Sequence, residues 1–192
     1  MSDALPAPDA RTRVLNAAEA IVLARGVPAL TLDAAAKFAA VSKGGLLYHF
    51  ANKEALLKGL VDRIAGEIEA DWQRYLAETP PGRAHATRAV LRWAFHCPPE
   101  EEARLLRRAA VFLAAFHHDP ALIDKLREFH ARIRAATAAD ALPAGLDLAV
   151  IAACDGLFVA MLFKIWQPSP EQGEAIEAQL LRLIGDVPGD VP

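Results

Sequence analysis

Three helix-capping residues, Thr31, Ser42 and Asn52, stand about ten residues apart, and that spacing leaves room only for short helices between them. A Thr, Ser or Asn side chain before a helix accepts a first-turn backbone N–H that otherwise has no partner. After Thr31 the apolar positions Leu32, Ala35, Ala36 and Ala39 recur at helical spacing, which predicts a helix ending near Ala39. After Ser42 a very short helix is predicted from Lys43 to about His49, with Leu46 and Phe50 one turn apart on its inner side and Val41 plugging the turn before it. Gly44 and Gly45 open this helix. A helical glycine costs roughly 1 kcal/mol relative to alanine, so the pair needs a compensating gain. Close approach of a partner to the backbone is one candidate.

The rest of the chain reads as helix as well. Asp9 caps a first helix running to about Arg25, with Val14, Ala18, Ile21 and Val22 on one face; Gly26 stops it and Val27-Pro28 does not readily continue it. Asn52 opens a longer helix that turns Leu56, Leu57, Leu60, Val61 and Ile64 inward and passes Trp72 and Tyr75 before Thr79-Pro80-Pro81-Gly82. Prolines near the boundaries mark further helices over 83–96, 99–117, 120–139, 146–166 and 170–184, followed by a frayed tail from Gly185. No run alternates as a strand does. Alanine is abundant and β-branched residues are sparse, so the expected class is all-α. With 54% hydrophobic residues the 192-residue chain can bury a sizeable core. A small domain over 1–60 joined to a larger one over 61–192 fits this length.

Several function classes are disfavoured. No GxSxG, Walker A, HExxH or Rossmann fingerprint is present, so neither an enzyme nor a bound cofactor is expected. Cys97 and Cys154 lie far apart with no CxxC, which argues against structural zinc and a disulfide framework. In His117-His118-Asp119 the neighbouring side chains point apart on a helix, so no metal site is expected there. Residues 1–9 are short and acidic, unlike a signal peptide. The apolar stretch 146–165 is interrupted by Asp147, Asp155 and Lys164, as a buried helix tolerates and a membrane span does not. A soluble, cytoplasmic protein without a membrane partner is expected. The net charge is −3, but up to Leu60 seven Lys/Arg face five Asp/Glu, against fourteen and nineteen beyond it. The N-terminal part is the better candidate for a polyanion.

Helix, tight turn, helix and capped helix is the grammar of a helix-turn-helix, whose second helix enters the major groove. The run VSKGGLLYHFANKEALL resembles the recognition-helix signature of the TetR (tetracycline repressor) family of bacterial regulators, and Gly26, Leu32, Ala35 and Ala36 match upstream. The resemblance covers about residues 10–60. It implies that Thr31 and the start of its helix bond a DNA phosphate and that Ser42 caps the recognition helix beside another. Lys43 and Gly44 would lie at the groove edge, Tyr48 and His49 would contact phosphates and base edges, and Lys53 would clamp the backbone. Such groups are the usual suppliers of phosphate contacts. Two residues depart from the pattern. Ala40 stands where the family often has a turn glycine, and Gly45 where a hydroxyl residue is common, which leaves base readout to neighbours, to Lys37 or Lys43, or to DNA shape.

The resemblance further implies that the remainder is a helical effector-binding and dimerisation domain whose last two long helices, 146–166 and 170–184, pair with those of a second subunit. The first of these has a broad apolar surface carrying Val150, Leu157, Phe158 and Met161, with small residues Ala152, Ala153, Gly156 and Ala160 that permit close helix approach. Candidates for an effector pocket are Trp93, His96, Phe112, Phe116, Phe158 and Met161, a lining suited to a lipophilic small molecule, although the same residues would also serve an ordinary helical core. The expectation is a homodimer on a pseudo-palindromic operator, associated with the nucleoid while bound, and a repressor released by a small, largely apolar effector. A helical protein-interaction module that does not bind DNA is the alternative.

Overall fold

A computed structural model describes residues 9–185; the readings made above for 1–8 and for the tail beyond Gly185 fall outside the described residues. Among the described residues there are nine α-helices and no strand. They are α1 (Ala10–Arg25), α2 (Leu32–Phe38), α3 (Lys43–His49), α4 (Lys53–Glu78), α5 (His85–Phe95), α6 (Pro99–His118), α7 (Asp124–Ala138), α8 (Leu146–Leu162) and α9 (Pro170–Gly185). None is long and apolar enough to cross a membrane. The described residues form two compact units: 9–66 together with Arg107–Lys125, and Glu67–Leu106 together with 126–185.

In the first unit α1, α2 and α3 pack on one another. Their caps follow the spacing of the sequence. Asp9 accepts from the Thr12 N–H at 2.7 Å, Thr31 from Ala34 at 3.1 Å, Ser42 from Gly45 at 3.0 Å and Asn52 from Ala55 at 2.7 Å. The inner faces supply a continuous core of Val14, Leu15, Ala18, Leu30, Ala35, Leu46, Phe50, Leu56, Leu57, Leu60 and Ile64. Burial of the Val, Leu, Ile and Phe side chains among these contributes about 1.5–3 kcal/mol each, far more than helices this short gain from propensity. Arg63 ties α4 to α1 through Asn16 at 2.6 Å and Glu19 at 2.5 Å.

In the second unit α5 packs on α8 and α9, which also pack on each other. The rings of Trp72, Tyr75 and Phe129 surround Trp93 with centroids 6.1–6.2 Å away. The N-terminus of α5 has no local side-chain cap, because Ala84 precedes it in a left-handed conformation. Asp140, from the turn after α7, reaches it instead and accepts from the N–H groups of Ala86 (3.2 Å) and Thr87 (2.7 Å) and from the Thr87 hydroxyl (2.8 Å).

Three helix boundaries differ from the sequence reading by more than one residue. α5 starts at His85 rather than at 83. Pro120–Ile123 form a 3-10 turn capped by Asp119, so α7 begins only at Asp124. α8 ends at Leu162, four residues before the expected Trp166. Lys164 turns left-handed (φ 53°), and the N–H groups of Lys164 and Ile165 close back on the carbonyls of Met161 and Ala160 at 3.0 and 2.9 Å. This is the hydrogen-bond pattern of a glycine-type helix stop formed without glycine, and so without the sequence signal that usually marks it.

Candidate nucleic-acid interface

The turn between α2 and α3 uses the same device. Ala40 has φ 51°; its N–H bonds the Lys37 carbonyl at 3.3 Å, and the Val41 N–H bonds the Ala36 carbonyl at 3.0 Å. The alanine noted above as a departure from glycine therefore keeps the glycine geometry, at a cost of roughly 1–2 kcal/mol for a left-handed L-residue. The half-buried Val41 follows, and α3 then starts from its Ser42 cap.

On α3, Leu46 is fully buried and Phe50 nearly so, which anchors the inner side. The outer side is exposed: Lys43, Gly44, Leu47, Tyr48 and His49 all face solvent, and Tyr48 is 86% accessible. The Tyr48 and His49 rings meet edge to face, with centroids 5.0 Å apart. Thr31 and Ser42 are exposed at the first turns of α2 and α3, and Lys53 is half-buried at the start of α4. All seven residues named from the sequence for DNA contact thus lie in the first unit.

The two glycines separate in role. A β-carbon on Gly45 would sit 3.1 Å from the Ser42 hydroxyl oxygen and crowd the cap, whereas one on Gly44 would meet nothing within 4 Å. Gly45 has a reason within its own chain, and Gly44 has none.

Sequence reasoning missed three exposed residues here. Phe38, at the last turn of α2, is 65% accessible, and Leu47 is exposed on α3. Asp33, in the first turn of α2, pairs with the Lys43 ammonium at 2.9 Å, both side chains being largely exposed. Helical spacing reports neighbours along one helix, and this pair crosses from one helix to the next.

The six pocket candidates do not fall in one unit. Phe112, buried, and Phe116, exposed, belong to the first. Trp93, His96, Phe158 and Met161 belong to the second, where Trp93 is the centre of the aromatic cluster and Phe158 and Met161 are half-buried on α8. His96 borders a surface cleft of about 350 Å³ whose walls include Arg88, Arg92, Leu91 and Leu181; its Nε2 donates to the Glu177 carboxylate at 2.7 Å. Burial pushes the Cys97 thiol up to about 11 and the Cys154 thiol up to about 12, so both are protonated near neutral pH and neither is an activated nucleophile. Among the described residues no group of three His, Cys, Asp or Glu side chains is placed to hold a metal ion.

Comparison with known proteins agrees with this arrangement. Residues 14–60 match the family model of bacterial regulatory proteins of the tetR family, and residues 84–185 match that of the tetracyclin repressor-like C-terminal domain. The chain belongs to the TetR family. Its N-terminal helices α1–α3 form the helix-turn-helix of this family of bacterial regulatory proteins.

An uncharacterized HTH-type transcriptional regulator of Pseudomonas putida, TtgW, is 33% identical over 69 residues, covering 36% of this chain and 52% of that protein. The chain thus spans about half the length of this curated relative. Among solved structures, the TetR-family fold recurs in a putative transcriptional regulator, SCO7518, of Streptomyces coelicolor A3(2), with 21% identity over 92% of this chain and 99% of that one and a TM-score of 0.70. The multidrug binding protein EbrR, solved with malachite green, is 24% identical over 92% of this chain and 99% of its own, with a TM-score of 0.66.

Proposed function

We propose that this TetR-family chain is a homodimeric transcriptional repressor that binds a pseudo-palindromic DNA operator through α3 and releases it when a small, largely apolar effector occupies the part beyond residue 60. The observation that carries the reading is the outer side of α3: anchored from within by Leu46 and Phe50, it leaves Tyr48 uncovered and keeps a glycine at position 44 that its own chain does not need. A helix that gives up roughly 1 kcal/mol at Gly44 gains it back where a partner's backbone comes close. Thr31, Ser42, Tyr48, His49 and Lys53 supply the hydroxyls, cation and ring edges that contact phosphates, with Lys43 at the groove edge, and Thr31 and Ser42 do so at helix N-termini.

A single helix this short binds weakly, so two are needed, roughly 34–36 Å apart, to enter successive major grooves. α8 and α9 supply the pairing surface: Leu148, Val159 and Phe163 on and just after α8, and Leu181 and Leu183 on α9, are large apolar side chains left exposed. A twofold partner covers them. EbrR, which shares the fold, is a multidrug binding protein, and this supports the small-molecule arm of the proposal. Effector binding acts by favouring a spacing of the two α3 helices that misfits the operator. The cytoplasm, with DNA at hand, is where such a protein works.

The test is selection of bound fragments from a random DNA pool, followed by affinity for the recovered site as salt is raised. Several phosphate contacts require log K to fall steeply with log salt, with a slope of about −0.9 per contact. Recovery of no preferred sequence, or a flat salt response, overturns the proposal and favours a protein-interaction module.

A further inference from the structure

The Asp33–Lys43 pair has no evident use in stability. Its N···O distance is 2.9 Å, but the side chains are 73% and 62% exposed, and ion pairs this open contribute about 0–1 kcal/mol. What distinguishes the pair is its place. Asp33 is in the first turn of α2 and Lys43 is the first residue of α3, so the pair spans the two helices of the reading motif on a solvent-facing side. Lys43 is one of only seven Lys/Arg up to Leu60, and the counter-charge beside it is itself open to solvent. A carboxylate there opposes the phosphate backbone and lowers the attraction of every duplex.

We infer that Asp33 is a restraining residue: it holds the Lys43 ammonium away from phosphates and thereby weakens sequence-independent binding to duplex DNA. This rests on the DNA-binding reading above. Non-specific binding consists almost wholly of cations displacing condensed counterions from the backbone. Lys43 can join that set only by leaving Asp33. The restraint therefore acts most where affinity comes from charge alone.

The test is a double-mutant cycle on a random-sequence duplex, with Asp33→Asn, Lys43→Gln and the double variant, read as affinity and as slope against salt. Asp33→Asn is expected to bind on the order of fivefold tighter at low salt and to steepen the slope by about 0.9, the value of one added phosphate contact. Lys43→Gln is expected to abolish most of that gain. A thermal melt of each variant accompanies the titration, since Asp33 also favours the N-terminus of α2. Three results overturn the inference: Asp33→Asn binding no tighter than wild type while folded, a tighter complex with an unchanged slope, or a gain equally large in the Lys43→Gln background, which would be a general loss of negative charge. If wild type itself bound no duplex at low salt, the DNA-binding reading would fall and this one with it. Tight binding by wild type with no effect of Asp33→Asn would sink this inference alone.

Discussion

The ring of Phe50 lies against the α-carbon of Gly59: a β-carbon at position 59 would sit 2.7 Å from Phe50 Cε1. Phe50 ends α3 and Gly59 lies two turns into α4, so this contact seats the inner side of the proposed recognition helix on the long helix that follows. Alanine at 59 gains up to about 1 kcal/mol of helix propensity but overpacks a site where such insertions cost roughly 1–3 kcal/mol. Gly59→Ala is therefore expected to lower stability by on the order of 1 kcal/mol. Gly66→Ala, in the same helix with nothing within 4 Å of its β-carbon, is expected to raise it by about the same amount. Urea unfolding of the two variants checks both signs, and in a Phe50→Leu background, which removes the clashing ring atom, the cost of Gly59→Ala should shrink.

Ala40 occupies a left-handed position that glycine fits without strain. Ala40→Gly relieves roughly 1–2 kcal/mol of native strain and gives back part of it as unfolded-chain entropy. The expected result is a net gain of about 0.5–1 kcal/mol in thermal unfolding, with DNA affinity unchanged because the turn geometry is unchanged.

Asp140 does for α5 what Thr31, Ser42 and Asn52 do for their own helices, but from 53 residues away. Asp140→Ala leaves two first-turn N–H groups and the buried Thr87 hydroxyl without that acceptor. The expected loss is about 1–3 kcal/mol, seen as a lowered Tm.

At the proposed DNA interface, three variants separate binding from folding. Tyr48→Ala removes an exposed ring and is expected to weaken operator binding with stability unchanged. Lys53→Ala is expected to weaken binding to all sequences and to reduce the salt slope by roughly one unit. Gly44→Ala is the diagnostic one, since its β-carbon meets nothing in the chain. It should stabilise the fold by up to about 1 kcal/mol, less than an interior helix position because Gly44 lies in the first turn, while weakening the complex. Operator affinity and Tm measured on the same preparations decide.

The thiols are expected to be slow. With Cys97 raised to about 11 and Cys154 to about 12, from a usual value of 9.0, the thiolate at pH 8 is scarcer than in a free cysteine by roughly a hundredfold and a thousandfold. Raising the pH increases the thiolate of both, so alkylation should accelerate with pH up to about 11 and not level off near 9. Mass-resolved alkylation of folded protein between about pH 7 and 10, with Cys97 ahead of the more buried Cys154, measures this.

Much of the reading motif was legible from residues 9–57 alone because its signals are local. Caps, helical spacing and the Leu46/Phe50 pair each concern residues within a turn or two of one another, and backbone geometry carries that information directly. The resemblance to the TetR family, not a local signal, marked Ala40 as the place where the turn usually has glycine. The sequence did not foretell the stop at Lys164, because there too a non-glycine residue adopts the left-handed form, and only the closing hydrogen bonds show it.

What tertiary structure decided is the set of relationships between segments distant along the chain or on different helices. Local pattern contains nothing that joins Arg107–Lys125 to the N-terminal helices, brings Asp140 to α5, lays Phe50 over Gly59 or sets Asp33 against Lys43. The pocket candidates show the same limit, since an apolar helical residue reads alike whether it packs a core or lines a cavity, and only the packing of helices separates the two.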